Sequence, residues 1–482
     1  MCVTAVAFSC LSAIGAEADA AVTQADLKAL IERIAKLEAE NKAQAQKIAE
    51  LEGKVVKPAA SPKADEASAP ARVAEEGTKV SESGKVYTTA QGYSYYLADK
   101  LAGIFEPLSE SGLKITPYGW LAFEAAYNSR ATDCDWTTDV VKKRGGRTST
   151  LSMQDSILGM RFETPEKVNG WKMSGKGEWD FAGGDQNSYD FYWRHLYFDA
   201  THDSGWSVLF GQTWHLWKMV APSEIDGAWL ENTGYPYRRS PQIRVTKKWK
   251  WEDSSLEARV GIVKGGPGMG GDRDGDGIQD NSSSAWPLVQ GALVYDRKAA
   301  WEESDRRWLV GIGGMYGRDR SHRMMDDGEG NPVYNGTDDE YDSKMIMLAA
   351  SVPFLDKFTL TGQIFAGDNL GGIQGGIGQR VAYREMGKKG REVSTIGGFV
   401  DLSYAFNDRL TIAGGYGFDD PTDSEAEHAG GLLYNDRAYV NAIFKILHNF
   451  RVGLEYARLN TKYSDVGNRD DDRIQFSAWY DF

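Results

Sequence analysis

At the end of the chain every second residue is apolar. Ile474, Phe476, Ala478, Tyr480 and Phe482 share one face of an extended segment, and Arg473, Gln475, Ser477 and Asp481 share the other. A period of two marks a β-strand with one apolar side. The alternation recurs in 170–181, where Trp171, Met173, Trp179 and Phe181 oppose Lys172, Ser174, Lys176, Glu178 and Asp180. In 408–418, Leu410, Ile412, Tyr416 and Phe418 oppose small residues. Between Leu113 and Phe482 about sixteen segments read as strands: 113–128, 149–164, 170–183, 189–201, 204–213, 239–251, 255–264, 287–299, 306–317, 342–353, 357–367, 393–405, 408–418, 434–447, 449–460 and 472–482. Most lengths are close to the ~9–11 tilted residues that cross a bilayer.

The connectors alternate in length. Short ones at 165–169, 202–204, 252–254, 355–357, 407–408 and 448–449 alternate with long ones rich in Gly and Asp. Transmembrane barrels have this asymmetry, with short periplasmic turns and long external loops. The pattern predicts an all-β transmembrane barrel of about 16 antiparallel strands over 113–482, with its C-terminus at the periplasmic side. It also places Asp326, Asp327, Asp338, Asp339, Glu340, Asp470, Asp471 and Asp472 in external loops. A terminal Phe482 on an alternating aromatic strand is the signal read by the barrel-assembly machinery, which makes that machinery an expected partner.

The segments ahead of the barrel have other periods. In 21–55, Leu27, Leu30, Ile34, Leu37, Asn41, Gln44, Ile48, Leu51 and Val55 are spaced alternately by three and four, an a/d heptad seam. It predicts a periplasmic α-helical coiled coil, or else a lone amphipathic helix. Ile at a with Leu at d leans towards a dimer. Residues 56–86, rich in Ala, Pro, Glu, Ser and Lys, read as a disordered linker. Residues 87–112 lead into the barrel, with a short helix expected over 94–108 at its mouth or inside it. Residues 1–20 resemble a secretory signal that lacks its basic start; either the true start lies upstream or the stretch is a short buried helix.

Composition agrees with this order. Among 482 residues, Gly 54, Tyr 23 and Trp 15 are high and Cys 3 is low, which suits a girdled barrel better than a disulfide scaffold. No run approaches the ~20 apolar residues of a spanning helix. A net charge of -14 argues against nucleic acid as a partner. No Ser/His, zinc or phosphate-loop constellation marks an enzyme.

One long connector is unusual. Residues 214–240 carry Trp214, Trp217, Met219, Trp229, Tyr235 and Tyr237, more aromatic surface than a loop in water supports. It is expected to fold into the barrel and narrow the pore, or else to pack on a neighbouring subunit. Basic residues sit on the presumed lumen faces: Arg161, Arg194, Arg244, Lys248, Arg259 and Arg451, with Lys218 inside the connector and Arg238 and Arg239 at its end. Guanidinium groups pair with carboxylate and phosphate in bidentate geometry, so they predict a preference for small anionic solutes. The alternative is that these arginines pair only with lumen acids and hold the barrel's shape. Asp272, Asp274, Asp276 and Asp280 around Gly277 have the spacing of a loop that wraps Ca²⁺, although position twelve is Ser283 rather than Glu. A solvated acidic loop is the other reading. No further cofactor is expected.

The blocks SILGMRFETPEKVNG (156–170), GKGEWDFAGGD (175–185), YWRHLYFD (192–199), VLFGQTWH (208–215) and RRSPQIRVTKKW (238–249) resemble the DcaP-like porins. That resemblance implies an outer-membrane, sixteen-stranded homotrimer with a periplasmic coiled coil, taking up small negatively charged compounds such as dicarboxylates. By position, Arg161, Arg194, Arg239 and Arg244 match basic residues in those blocks. The third connector departs from the pattern in being richer in Trp, and the Asp-rich loop is not shared. The competing expectation is an envelope tether or adhesin, whose coiled coil contacts peptidoglycan and whose barrel only anchors it in outer-membrane lipid.

Overall fold

The computed structural model describes residues 86–88, 94–96, 112–134, 136–183, 189–265, 284–299, 306–326, 332–385 and 387–482. The predicted signal segment, the coiled coil, the linker up to residue 85 and the loop of Asp272, Asp274, Asp276 and Asp280 lie outside the described residues. Every described residue belongs to one compact unit, Lys79–Phe482.

A small hairpin, β1 (Val86–Thr88) and β2 (Ser94–Tyr96), comes first. Its second strand occupies the start of the segment expected as a helix. The strands β3 (Lys114–Asn128), β4 (Thr148–Ser152), β5 (Ile157–Glu163), β6 (Trp171–Asp180), β7 (Tyr192–His202) and β8 (Trp206–Trp214) follow. Next are β9 (Arg239–Lys250), β10 (Ser254–Val263), β11 (Ser284–Lys298), β12 (Arg307–Asp326), β13 (Pro332–Phe354) and β14 (Phe358–Asp368). A two-stranded ribbon, β15 (Val381–Ala382) and β16 (Arg391–Glu392), sits in a connector. The chain ends with β17 (Ser394–Ala405), β18 (Leu410–Pro421), helix α1 (Asp423–Ala429), β19 (Leu432–Leu447), β20 (Phe450–Tyr463) and β21 (Gly467–Asp481).

Seventeen of these strands, β3 to β14 and β17 to β21, close into one antiparallel ring. β4 and β5 both pair with β3, along Glu124–Asn128 and Lys114–Trp120 respectively, so they share one stave and the barrel has sixteen. The single strand expected over 149–164 is thus broken at 153–156. The break stays tied to β3: the Trp120 indole donates to the Asp155 carbonyl at 2.9 Å, and the Ala122 amide to Ser156 Oγ at 3.0 Å. At the seam, the amide of Phe482 donates to the Gly119 carbonyl, and that of Gly119 to the Phe482 carbonyl.

The barrel is inside out relative to a soluble protein. Its exposed face carries Leu121, Phe123, Ile346, Leu348, Ile364, Val400, Leu454 and Phe476, and its buried face carries Glu124, Gln290, Gln363, Asp401, Asn441, Glu455 and Gln475. In water that arrangement would forfeit the hydrophobic term; in lipid it satisfies it. Exposed Trp206, Trp249, Trp251 and Trp308 ring the end with short turns, and Trp193, Trp286, Tyr416 and Tyr456 lie nearer the other end. These are the two aromatic girdles of a bilayer-spanning barrel.

The alternation of connector lengths fails at two hairpins. β12 and β13 run for 20 and 23 residues and are joined by 327–331, and β20 and β21 are joined by 464–466. Asp326, Asp338, Asp339, Glu340, Asp470, Asp471 and Asp472 therefore lie on strands rather than in loops. Above the bilayer both faces of a strand meet water, so carboxylates can stay in the ladder when they face cations. Arg318 is registered with Asp342, and its Nε sits 2.8 Å from that carboxylate. Arg458 is registered with Asp472, and its Nη1 lies 3.2 Å away.

Candidate functional site at the inward-folded connector

The connector 215–238 leaves β8 and turns into the lumen. Its base is closed by the His215 amide donating to the Arg238 carbonyl at 3.0 Å. Leu216 and Trp217 then pack with Val263, Leu288, Met315, Met345, Met347 and Phe365 on the far sides of β10 to β14. Such close approach needs a wall without side chains. A Cβ at Gly313 would sit 2.9 Å from Trp217 Cβ, and one at Gly453 2.7 Å from Ile225 Cδ1. At the return limb, Gly234 has φ 113 and lies against the Gly398 carbonyl, so any side chain there would be both strained and blocked. The aromatic content of the connector is thus spent on the barrel interior.

Polar bonds fasten its tip. Ser223 Oγ donates to Asp401 at 2.9 Å, and the Ile225 amide to Glu455 Oε2 at 2.7 Å. Asp226 accepts from Arg437 Nη2 at 2.8 Å and lies 3.1 Å from Arg473 Nε. Burial pushes the Asp226 carboxyl up, but Arg473 and Arg437 outweigh it and hold the group below the usual carboxylate range. Arg437 also donates to the Thr138 carbonyl and hydroxyl, which ties in the connector after β3. Sequence reasoning missed Arg437 and Arg473 as site residues. Their signal was present: Asn435, Arg437 and Asn441 alternate with Ala438, Val440 and Ala442 on β19.

A second connector, 369–393, also folds inward, which was not anticipated. Leu370 and Ile373 join the cluster around Trp217. Arg238 Nη1 donates to the Gly372 carbonyl at 2.6 Å, and Gln374 donates to Glu231.

The predicted basic residues fall into two groups. Arg194 and Arg259 are neutralised. Arg194 lies 3.1 Å from Glu178 and 2.7 Å from Asp180, and Arg259 lies 2.6 Å from Glu257. Arg194 reaches the lumen because β7 shifts register against β6 beside it, which buries Arg194 and His195 together. A bulge of this kind breaks the alternation of faces.

Lys248 lies 3.5 Å from Glu257 and Arg451 3.7 Å from Asp481, whereas Arg161, Lys218, Arg238, Arg239 and Arg244 have no carboxylate within ion-pair distance among the described residues. Arg161 stacks over the Tyr118 ring at 4.9 Å. Arg239 lies over Trp214 at 4.3 Å and Tyr192 at 5.7 Å, and its buried Nη1 has no hydrogen-bond partner. Lys218 Nζ sits 3.4 Å from the Trp214 ring centre and 4.6 Å from that of Trp229. Burial, with Arg239 and Arg194 nearby, holds the Lys218 amine well below the usual lysine range. Arg244 is half-buried on the inward face of β9 beside Arg259.

Not every predicted aromatic lines open space. Trp214 and Trp229 are half-buried and hold Lys218. Trp217, 1% exposed, is an anchor on the wall, and Tyr235, equally buried, donates its hydroxyl to the Val220 carbonyl. Among the described residues no group of acidic, His or Cys side chains is arranged to hold a metal.

The fold has a counterpart. The outer membrane channel DcaP of Acinetobacter baumannii superposes with a TM-score of 0.62 over 78% of this chain and 99% of that one, at 20% identity. An anion-selective porin from Comamonas acidovorans gives 0.49 at 13% identity, over 77% of this chain and 100% of that one. OmpT of Vibrio cholerae gives 0.49 at 12%, over 77% and 98%. No protein-family model and no curated protein sequence matches the chain. The barrel thus shares the fold of the DcaP channel, the family that the β5–β9 blocks resemble.

Proposed function

We propose that this chain is a DcaP-like porin of the outer membrane, passing small anionic solutes passively through a lumen narrowed by the connector 215–238. One observation carries the reading. Among the described residues the lumen cations divide into a paired set, which includes Arg194, Lys248, Arg259, Arg437, Arg451 and Arg473, and an unpaired set of arginines, Arg161, Arg239 and Arg244, with Lys218 on the connector itself. Paired arginines shape the wall. Unpaired ones leave a positive field that a passing carboxylate or phosphate would complete. Indole and phenol faces hold Arg239 and Arg161 without neutralising them, and Lys218 sits beside Trp214 with its amine held below the usual lysine range by burial. On this reading the protein assembles as a homotrimer, inserts through its Phe482 strand, and keeps its N-terminal helix in the periplasm. The Asp272–Asp280 loop is a candidate Ca²⁺ loop.

The test is the reversal potential of purified protein in planar bilayers across a salt gradient. Anion preference is expected, with openings in triplets. Arg161→Gln with Arg244→Gln should reduce that preference while the barrel still folds. Cation selectivity in the unsubstituted protein would overturn the role of these residues, and a sealed barrel would favour the tether instead.

A further inference from the structure

A cavity of about 490 Å³ opens where β8 and β9 meet the inward connector. The lining comes from both sides of the wall. Arg238, His215 and Gly372 belong to the inward connectors, whereas Phe191, Trp193 and Pro241 are exposed on the outer surface. The cavity is therefore a notch in the rim that faces the lumen and the bilayer at once.

Its charge is one-sided. Arg238, Arg239 and Lys264 line it, and among the described residues no Asp or Glu does. None of the three has an ion pair to a carboxylate among the described residues. The Arg238 guanidinium is fixed on the Gly372 carbonyl at 2.6 Å, and Arg239 is held between Tyr192 and Trp214 with Nη1 buried and unpartnered. Lys264 is exposed and is brought to the notch by its amide bond to the Pro241 carbonyl. On the bilayer side Phe191 is 65% and Trp193 49% exposed, at the level of the girdle nearer the long loops.

We propose that this notch binds the phosphorylated headgroup of an outer-leaflet amphiphile. The phosphate lies among Arg238, Arg239 and Lys264, and the apolar tail runs down past Phe191, Trp193 and Pro241. Two features select a lipid over a free anion. The apolar half of the notch faces the bilayer rather than the pore, and basic pockets at bilayer headgroup level recruit anionic headgroups. Guanidinium groups supply bidentate contacts to phosphate oxygens. A bound headgroup would also hold the base of the inward connector, because Arg238 ends it.

The test uses the full chain in non-ionic detergent and native mass spectrometry. The probe is an acylated glucosamine disaccharide carrying two phosphates, compared with its dephosphorylated form and with inorganic phosphate. The phosphorylated lipid should stay bound to the unsubstituted protein and survive millimolar inorganic phosphate. Lys264→Glu should weaken it about tenfold or more, as expected for reversing one charge-assisted contact. Phe191→Ala with Trp193→Ala should weaken it while leaving any inorganic phosphate binding unchanged. Equal binding of the dephosphorylated lipid, equal binding by Lys264→Glu, or displacement by inorganic phosphate would each overturn the proposal. Reversal potentials on the same preparations separate this result from the pore reading: anion preference that persists after lipid binding has failed leaves permeation standing and removes only the lipid site.

Discussion

Replacing Arg437 by Met should free the tip of the inward connector while leaving the barrel closed. The guanidinium is buried, donates to Asp226 at 2.8 Å and to Thr138 at 2.7 and 2.8 Å, and stands 3.7 Å from Glu455. Methionine keeps the stem but removes every one of these contacts. It leaves Glu224, Asp226 and Glu455 facing each other with Arg473 as the remaining neutralising neighbour. Breaking a buried pair from one side costs roughly 3–5 kcal/mol. That would raise the undocked fraction of the tip by roughly two to three and a half powers of ten. The base is held separately. Leu216, Trp217, Leu230 and Tyr235 are fully buried, and each is worth roughly 1.5–3 kcal/mol. The connector should therefore stay in the lumen while residues around 223–228 let go. Single-channel recordings should show larger and noisier conductance, and limited proteolysis should cut the tip. Arg458→Met is the control, since its pairs with Asp470 and Asp472 are half exposed on the outer strands and should matter by about 0–1 kcal/mol. Unchanged conductance, noise and protease resistance in a folded Arg437→Met barrel would refute the latch.

Three other outcomes follow from the same geometry. Gly313→Leu should push Trp217 off the wall, since the space for its first side-chain carbon is already taken; an overpacking cost of about 1–3 kcal/mol should lower the midpoint of the heat-induced mobility shift on gels. Arg194→Met, which strands Asp180 and leaves Glu178 to Lys176 and the Tyr118 hydroxyl, should destabilise the barrel more than Arg161→Met, which takes one of two cations off the Tyr118 ring; thermal midpoints of the two variants, measured side by side, would show the order. Burial lifts the Glu231 carboxyl from 4.5 to about 7, with the Tyr237 hydroxyl bond opposing and Asp133 adding. The docked state then binds more protons than the undocked state between those values, so docking weakens as pH rises through that window, by about 3 kcal/mol in all. Channel noise should grow from pH 4.5 to 7, and Glu231→Gln should abolish that growth.

Much of the barrel was legible because its faces face different solvents. The alternation in 472–482 put Arg473, Gln475 and Ser477 together on one polar face, and all three are buried. The limits of that logic are equally physical. A bulge at Arg194 and His195 changes which residues face inward without changing composition. Strands that rise above the bilayer lose the apolar half of the pattern, so Asp470 and Asp472 look like loop residues until Arg458 is seen across the ladder. The connector 369–393 carried too few aromatics to betray its inward path; Leu370 and Ile373 suffice because they meet a surface already built by Trp217.

The glycines connect fold and site most directly. In the sequence they matched only the composition of a barrel. Several of them, Gly261, Gly311, Gly313, Gly417 and Gly453, lie buried on wall strands directly beneath Leu216, Met219, Trp217, Thr233 and Ile225 of the connector. Side chains there would fill the lumen from the wall, as in small barrels. Their absence lets a chain segment fill it instead, and a segment can carry Lys218, Trp214 and Trp229 to a depth that no wall residue has to supply. The narrowing is thus built as a separate part, resting on a smooth track and fastened at its tip by Arg437 and Arg473. A part of this kind can change its charge and aromatic content without disturbing the strand ladder. The connector can therefore vary in Trp content while the strands that carry it stay the same.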